Sequence, residues 1–278
     1  MLRFILFGAI VSVKYKIQTK IIMKKLTFIA LAITFNLDAI AAEAKLGFTT
    51  GLDYSSGKYG QSEVTKIKYV PFTGKYELGR WLVRVTVPWL EIDGPGGVTG
   101  GESKIIIEEN INKHTRESGL GDIVSSLTYT AFQSEDQKFI LDVGGKVKFG
   151  TASVTKGLGT GENDYALQLD AYQMLDRLTL LGTIGYKKMG NPDHSEYKLD
   201  NVWYGTVGAA YKINALNSAG LLLDLRQAAW RYNSNIREYT LYYSHRFNPT
   251  YNLQSYITAG DTKSSVDLGA GLMLGVSW

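Results

Sequence analysis

Three histidines are the residues of this sequence best suited to acid–base chemistry, and their neighbours test whether they could act in catalysis. His114 and His194 lie in long polar stretches, whereas His245 lies between the aromatic residues Tyr243 and Phe247. Lipid hydrolases that work within a membrane place a serine two residues after such a histidine, but this chain has Phe247 there. Single, scattered histidines also make a poor metal site. We therefore predict no catalytic residue, no metal and no cofactor.

A second candidate for chemistry is the glycine-rich segment Gly157-Leu158-Gly159-Thr160-Gly161. Alternating glycines occur in loops that bind phosphate through backbone N–H groups. Here the Gly-Lys-Ser/Thr ending is missing, and no helical pattern follows. The segment therefore predicts a surface loop between two strands and no nucleotide site.

Composition excludes several other classes of function. The chain of 278 residues has no cysteine, which rules out disulfide scaffolds, zinc ribbons, iron–sulfur clusters and thiol nucleophiles. Its net charge of +4 arises from the first 42 residues, which hold six basic residues and one acid, Asp38. The remaining residues hold 24 basic and 25 acidic side chains. We therefore expect no nucleic-acid partner.

The N-terminal region, residues 1–44, has the pattern of a secretory signal peptide. From Met23 the chain reads MKKLTFIALAITFNLDAIAAEA, a basic start followed by an apolar run and small residues. Cleavage is expected after Ala41 or after Ala44. The run from Leu26 to Leu37 is shorter than the ~20 residues that an uncleaved membrane anchor, the alternative, would need. Because residues 1–22 fit one signal peptide poorly, we predict that Met23 is the true start.

Residues 45–278 alternate apolar and polar positions with the period of a β-strand. Twelve candidate strands lie near 46–55, 63–72, 76–92, 121–132, 138–149, 163–174, 177–188, 202–213, 219–230, 236–247, 251–259 and 266–278. Their lengths match the ~9 to 11 residues that a tilted strand needs to cross a bilayer. This pattern predicts an all-β fold, a transmembrane antiparallel up-and-down β-barrel of about twelve strands.

The connections between the strands alternate in length, as they do in outer-membrane barrels. Short turns are predicted around Thr73-Gly74, Gln133 to Gln137, Asp176-Arg177, Asn214 to Ser218 and Asn248-Pro249, and long loops at Asp93 to Leu120, Gly150 to Asn163 and Met189 to Asn201. The first long loop holds the apolar triplet Ile105-Ile106-Ile107. This triplet could constrict the barrel mouth, extend a strand above the membrane or form a self-contact.

Charged residues within the strands fall on one face, which the barrel would turn toward its lumen. This predicted pore-lining set is Asp53, Lys66, Lys68, Arg84, Asp122, Asp142, Lys146, Lys148, Asp170, Lys187, Lys212, Asp224, Arg226, Glu238, Arg246 and Asp267. A lipid-facing Arg or Lys costs about 2 to 4 kcal/mol at the bilayer midplane, which explains the segregation. A soluble barrel with an apolar core is the alternative. Asp122 could bind a cation at the pore mouth or pair with a basic residue of a neighbouring strand.

Aromatic residues lie near the ends of the strands on the opposite, outward face. The predicted aromatic belt is Trp81, Trp89, Tyr129, Phe149, Tyr165, Tyr186, Trp203, Tyr211, Tyr243, Phe247 and Trp278. Amphipathic rings prefer the headgroup level of a bilayer. A C-terminal aromatic residue such as Trp278 is also typical of barrels recognised by the outer-membrane insertion machinery.

Four segments resemble a known family more closely than the general class of barrels. They are Arg80 to Gly101, Ser118 to Phe132, Gly144 to Leu175 and Gly185 to Asn191. They are similar to the outer-membrane β-barrel transporter family labelled with the MetA pathway of phenol degradation. The resemblance covers most of the chain after the leader and implies passage of small, often aromatic or apolar, compounds.

Together these patterns predict a porin-like channel of the bacterial outer membrane that takes up small molecules passively. Its expected partners are outer-membrane lipids, the barrel insertion machinery and a small-molecule solute. A barrel of twelve strands would enclose a lumen narrower than that of a porin of ~16 strands. The alternatives are a lipid-modifying enzyme that uses His245 and a structural or adhesive surface protein.

Overall fold

The barrel strands account for most of the chain that can be placed. The structure, a computed structural model, describes residues 44–95, 98–99, 105–106, 114–191 and 198–278. The predicted signal peptide up to residue 43, Ile107 and His194 lie outside these residues. In the described part, no helix is long and apolar enough to cross a membrane.

The fold is a closed antiparallel β-barrel. Its strands are β1 (Ala44–Gly57), β2 (Thr65–Leu78), β3 (Trp81–Gly94), β4 (Val98–Thr99), β5 (Ile105–Ile106), β6 (Thr115–Leu120), β7 (Ile123–Gln133), β8 (Phe139–Phe149), β9 (Asp164–Leu175), β10 (Leu178–Lys188), β11 (Val202–Lys212), β12 (Asn217–Arg226), β13 (Ile236–Arg246), β14 (Tyr251–Gly260) and β15 (Leu268–Ser277). Neighbours in sequence pair around the barrel, and β1 pairs with β15 to close it.

The barrel has twelve wall strands, because β6 and β7 are two segments of the same wall strand. Both pair with β3, β6 along Trp89–Gly94 and β7 along Trp81–Thr86, and Gly121-Asp122 interrupts them. The short strands β4 and β5 form a separate hairpin in the connection between β3 and β6. The prediction of an all-β barrel of about twelve strands is therefore confirmed.

Residues that alternate along each strand lie on opposite faces of the barrel wall, the outer face and the inner face. In the closing pair, Phe48 lies opposite Val276 and Leu52 opposite Leu272, with Asp53 opposite Gly271 on the other face. The side chain of Leu52 is 51% exposed and that of Leu272 also 51%. Large apolar residues therefore point away from the barrel, where a membrane removes them from water.

The predicted turn at Thr73-Gly74 is wrong. Strand β2 continues to Leu78, and the hairpin turns at Gly79-Arg80. Thr73 lies opposite Thr86, with 2.8 Å between their hydroxyl oxygens. Gly79 has a φ of +54°, which glycine adopts without the steric cost that other residues have. The other four predicted turns lie between the strands where they were expected.

The predicted inward orientation of Lys66 and Lys68 is also wrong. Both pair with outward-facing residues of β3, and their exposed side chains lie on the outer face of the barrel. The alternate residues of β2, including Ile67, turn into the barrel, where Ile67 is 1% exposed. The reason is that Ile67 packs into a cluster of buried apolar residues, so the rule of apolar outside and polar inside is reversed along this part of β2.

Candidate functional site

The lumen contains a cavity of about 410 Å³. Its walls come from strands on opposite sides of the barrel, and its lining includes Asp53, Ile67, Tyr69, Lys146, Lys187, Tyr204, Thr206, Asp224, Arg226, Glu238, Tyr256 and Met273. A second cavity of about 220 Å³ shares Lys146 and is lined by Arg84, Ser126, Thr128 and Gln168 among others. Both volumes suit small molecules and not polymers.

Neutral donors hold three carboxylates of the predicted pore-lining set. Tyr256 Oη donates to Asp53 Oδ2 at 2.7 Å. Thr206 donates to Asp224 at 2.5 Å, and Asp170 accepts bonds from Thr183 at 2.6 Å and Gln168 at 2.8 Å. These hydrogen bonds fix the three carboxylates in position on the inner face of the barrel.

The other predicted residues lie at several heights in the barrel. Asp142 lies opposite Asp170 on the inner face, Lys212 opposite Ser218 and Arg246 opposite Asn252 near the periplasmic turns, and Asp267 precedes β15 at the extracellular end. Sequence reasoning missed the lining tyrosines, including Tyr69, Tyr204 and Tyr256. Their inward positions follow from the strand alternation, but the preference of aromatic rings for the bilayer interface predicts aromatic residues only on the outer face.

A buried ion cluster lies at the extracellular end of the lumen. Lys148 Nζ is 3.0 Å from Asp122 Oδ2 and 3.3 Å from Asp164 Oδ2. Only 12% of the Lys148 side chain, 11% of Asp122 and 2% of Asp164 is exposed. The second oxygens of the carboxylates accept backbone bonds of 2.9 Å from Ala152 and from Gly190. Asp122 therefore pairs with a neighbouring strand, and the cluster ties two extracellular connections to the wall.

Above the cavity, apolar side chains pack together at the extracellular mouth. This mouth cluster consists of Tyr59, Ile67, Leu90, Ile92, Val98, Ala152, Leu158, Met189, Leu199, Val202, Trp230 and Val266. Each connection on the extracellular side contributes at least one described member. Leu90 is 0% and Trp230 5% exposed. Since Ile67 belongs to both the mouth cluster and the cavity lining, the two are in direct contact.

The mouth cluster tests one of two predictions made for the loops. The segment Gly157 to Gly161 was expected at the surface, yet Leu158 is 1% exposed inside the mouth cluster, so that prediction is wrong in its location. The predicted constriction by Ile105-Ile106-Ile107 concerns side chains outside the described residues. In the same loop, Val98 is 3% exposed and belongs to the mouth cluster.

One buried tyrosine of the mouth cluster carries a polar group. Tyr59 Oη donates to Ser55 Oγ at 3.2 Å. Burial raises the pKa of Tyr59 above its ordinary value, so the phenol stays neutral. The closure therefore carries no titrating charge from this residue.

His245 lies on the outer face near a periplasmic turn. Its Nδ1 is 2.7 Å from Asn217 Oδ1, to which Tyr243 Oη also donates at 2.6 Å. The Phe247 ring packs edge-on at 4.7 Å. In the described part of the chain, no serine hydroxyl is recorded as a partner of this imidazole. Sequence reasoning missed Asn217, because cross-strand pairing brings it to His245 from 28 residues away.

The predicted aromatic belt residues lie on the outer face at two levels. Trp81 and Tyr129 pack at 4.5 Å between ring centroids near the periplasmic turns, and Tyr186 and Trp203 pack at 5.1 Å near the extracellular ends. Members near the turns are Trp81, Tyr129, Tyr211, Tyr243, Phe247 and Trp278, and members near the extracellular ends are Trp89, Phe149, Tyr165, Tyr186 and Trp203. This spacing is what two bilayer interfaces require.

Comparison with known proteins agrees with this architecture. The family model described as "Putative MetA-pathway of phenol degradation" matches residues 44–227. The COG4313 outer membrane channel from Pseudomonas putida F1 superposes with a TM-score of 0.65 at 12% identity, over 88% of this chain and 100% of that chain. The NanC porin superposes with a TM-score of 0.50 at 12% identity, over 84% of this chain and 98% of that chain. No curated protein sequence matches.

The structural likenesses show the fold, and the family model covers more than half of the chain. The closed barrel, its apolar outer face and its two levels of aromatic residues are those of a protein of the bacterial outer membrane. The chain therefore belongs to the outer-membrane β-barrel family named for the MetA pathway of phenol degradation.

Proposed function

We propose that this protein is a channel for the passive uptake of small molecules, with a lumen that the mouth cluster keeps closed at rest. The observation that carries the proposal is the polar cavity of about 410 Å³ lying directly beneath an apolar closure. The described members of the mouth cluster carry no charged side chain, so this cluster would oppose the passage of hydrated ions, which would lose their hydration shell there without replacement. A compact apolar solute would not meet that barrier.

The lining of the cavity favours solutes that combine an apolar body with a polar group. Tyr69, Tyr204 and Tyr256 supply aromatic rings, and Met273 supplies a polarizable surface. Lys146 and Arg226 add basic side chains to the same lining. The family name points in the same direction, toward small aromatic compounds.

Under this proposal, the pore-lining residues and the aromatic belt residues have different roles. Lumenal charges of both signs would keep the path wet without strong ion selectivity, and the outer aromatic residues would anchor the barrel at both interfaces. Trp278 would serve as the C-terminal recognition residue for the insertion machinery. A lipid-modifying function for His245 lacks support, since the recorded polar partner of its ring is an amide and not a nucleophile.

Single-channel recording of the protein purified from outer membranes tests the closure. We expect small, intermittent conductance steps for the wild type and larger or longer steps for Trp230→Ala, because this change removes a side chain that is 5% exposed in the mouth cluster. The matched control is Trp203→Ala, which removes the same side chain from the outer face, where it is 52% exposed. Conductance of this control should equal that of the wild type.

A second recording tests the solute class. Addition of a small aromatic acid such as benzoate should interrupt the current of Trp230→Ala, whereas sucrose at the same concentration should not. Folded wild-type and Trp230→Ala barrels that both fail to conduct would contradict the channel. Equal interruption by sucrose would contradict the proposed preference for aromatic solutes.

A further inference from the structure

Charged residues form a row on the outer face of the barrel, outside the lumen and unrelated to the proposed transport. This row, the outer ladder, consists of Lys66 and Lys68 of β2, Glu91 and Asp93 of β3, and Arg116 of β6. Cross-strand pairs place them together: Lys68 lies opposite Glu91, and Asp93 lies opposite both Lys66 and Arg116. Alternation places all five on the face opposite to Ile67 and Ile92.

The outer ladder begins immediately above the extracellular aromatic level. Ser118 of β6 completes the first row of the ladder opposite Glu91, and the outward residues below that row are apolar, namely Val70, Trp89 and Leu120, which lie side by side. Leu120 is 61% exposed, as a lipid-facing residue would be. One strand period of about 7 Å separates Trp89 from Glu91. The charges therefore lie where the headgroups of the outer leaflet would be.

The contacts leave the cations of the outer ladder facing outward. Lys68 Nζ donates to Glu91 Oε1 at 2.9 Å, and Arg116 Nη2 donates to both Glu91 oxygens at 3.0 and 3.1 Å. The Glu91 side chain is only 15% exposed, whereas Lys68 is 46% and Arg116 61% exposed. Lys66 is exposed and has no recorded polar contact among the described residues. The carboxylate thus lies beneath the cations and positions them.

Each cation retains donors for an external anion. A lysine ammonium has three N–H groups and an arginine guanidinium has five, so Lys68 and Arg116 have several left over. Lys and Arg are the side chains that bind phosphate oxygens, as point charges and through forked pairs respectively. His114 pairs with Asp93, which reduces the competition of that carboxylate for the cations.

We propose that the outer ladder binds the phosphate groups of the anionic glycolipid of the outer leaflet. The acyl chains of that lipid would lie along Val70, Trp89 and Leu120, and its phosphates would meet Lys66, Lys68 and Arg116. A free anion could use the same donors but would gain nothing from the apolar surface below them. The combination of both surfaces on three adjacent strands therefore selects a lipid.

The experiment measures binding of diphosphorylated lipid A to the detergent-purified protein by native mass spectrometry and by titration. We expect one tightly bound lipid, and at least tenfold weaker binding for the triple variant Lys66→Gln, Lys68→Gln, Arg116→Gln. Lys66→Gln alone should weaken binding severalfold without disturbing the Glu91 contacts, so it reports on the site even if the triple variant folds poorly.

The matched control is Lys188→Gln. Lys188 also faces outward two residues above an aromatic belt residue, Tyr186, but lies on a distant strand, where its cross-strand partner is Tyr165 and not a charged residue. Its variant should bind lipid A like the wild type. The proposal is overturned if lipid A lacking phosphates binds equally well, if inorganic phosphate at the same concentration displaces the lipid, or if Lys66→Gln and Lys188→Gln have the same effect.

Discussion

Lys148 is the central residue of the buried ion cluster at the extracellular end of the lumen. It neutralises two carboxylates that are almost fully removed from water, and these carboxylates in turn accept backbone bonds from the connections after β8 and β10. Without the ammonium, Asp122 and Asp164 would lie buried close together with like charges. Removing one charged partner from such a buried cluster lowers the free energy of unfolding by far more than the intact cluster contributes to it.

We expect Lys148→Met to lower the free energy of unfolding by about 3 to 5 kcal/mol, because it leaves two buried carboxylates without a counter-charge. Urea titration of the barrel in lipid vesicles, followed by tryptophan fluorescence, measures the change. The control is Lys138→Met, which breaks a turn ion pair of 3.9 Å whose two side chains are both 58% exposed. This control should leave the titration unchanged, since exposed pairs contribute little.

A further variant separates charge from shape. Adding Asp122→Asn and Asp164→Asn to Lys148→Met removes the unpaired charges and should recover most of the lost stability. Equal destabilisation by Lys148→Met and Lys138→Met would show that the buried ion cluster does not hold the loops.

At the scale of single elements, the β2–β3 hairpin shows how the backbone determines a turn. Strand β2 passes through Gly74 without turning and reverses only at Gly79, where φ is +54°. A Cβ at either glycine would meet no atom within 4 Å. The two positions therefore differ in backbone conformation and not in available space.

This difference allows a matched test. Gly79→Ala should destabilise the barrel by about 1 kcal/mol, because left-handed backbone is costly for a residue with a Cβ. Gly74→Ala should be neutral or slightly stabilising, since glycine weakens the interior of a strand. Thermal unfolding of the two purified variants gives the comparison. A larger loss for Gly74→Ala would mean that the turn is at the position expected from sequence after all.

At the scale of the whole molecule, the aromatic levels define the part of the wall that lipid covers. Trp81 and Trp89 lie eight residues apart on β3, as do Trp203 and Tyr211 on β11. Eight residues span about 27 Å along a strand, or about 20 Å along the barrel axis at the usual tilt. On β11 the outward residues in between are Gly205, Val207 and Ala209.

Val207 lies midway between the two levels and is 54% exposed. We expect Val207→Arg to reduce the stability of the barrel in a bilayer by about 2 to 4 kcal/mol, since its charge would lie at the midplane. Leu216→Arg is the control, because Leu216 is 47% exposed in a periplasmic turn below the lower level. Folding into lipid vesicles at graded urea concentrations measures both variants. Equal tolerance of the two would mean that this band does not face lipid.

Prediction from sequence succeeded where one physical rule acts along a whole strand. For β8 and β15, lipid outside and water inside impose strict alternation, so faces, boundaries and strand number follow from the residues alone. The rule failed at the extracellular end of β2. There Ile67 packs into the mouth cluster, and the exposed Lys66 and Lys68 lie on the outer face beyond the extracellular aromatic level, so the apolar residues are inside and the charges outside.

The sequence by itself therefore determined the class of the fold, the number of barrel strands and the outward position of the aromatic belt residues. Each of these depends on the local alternation of apolar and polar residues. Only the tertiary structure decided how the connections meet. The mouth cluster, the contacts of Lys148 with Asp122 and Asp164, and the outer ladder join residues from separate strands and loops. Their positions follow from barrel closure and cross-strand register, which are set by pairing over long separations and leave no periodic signal in the chain.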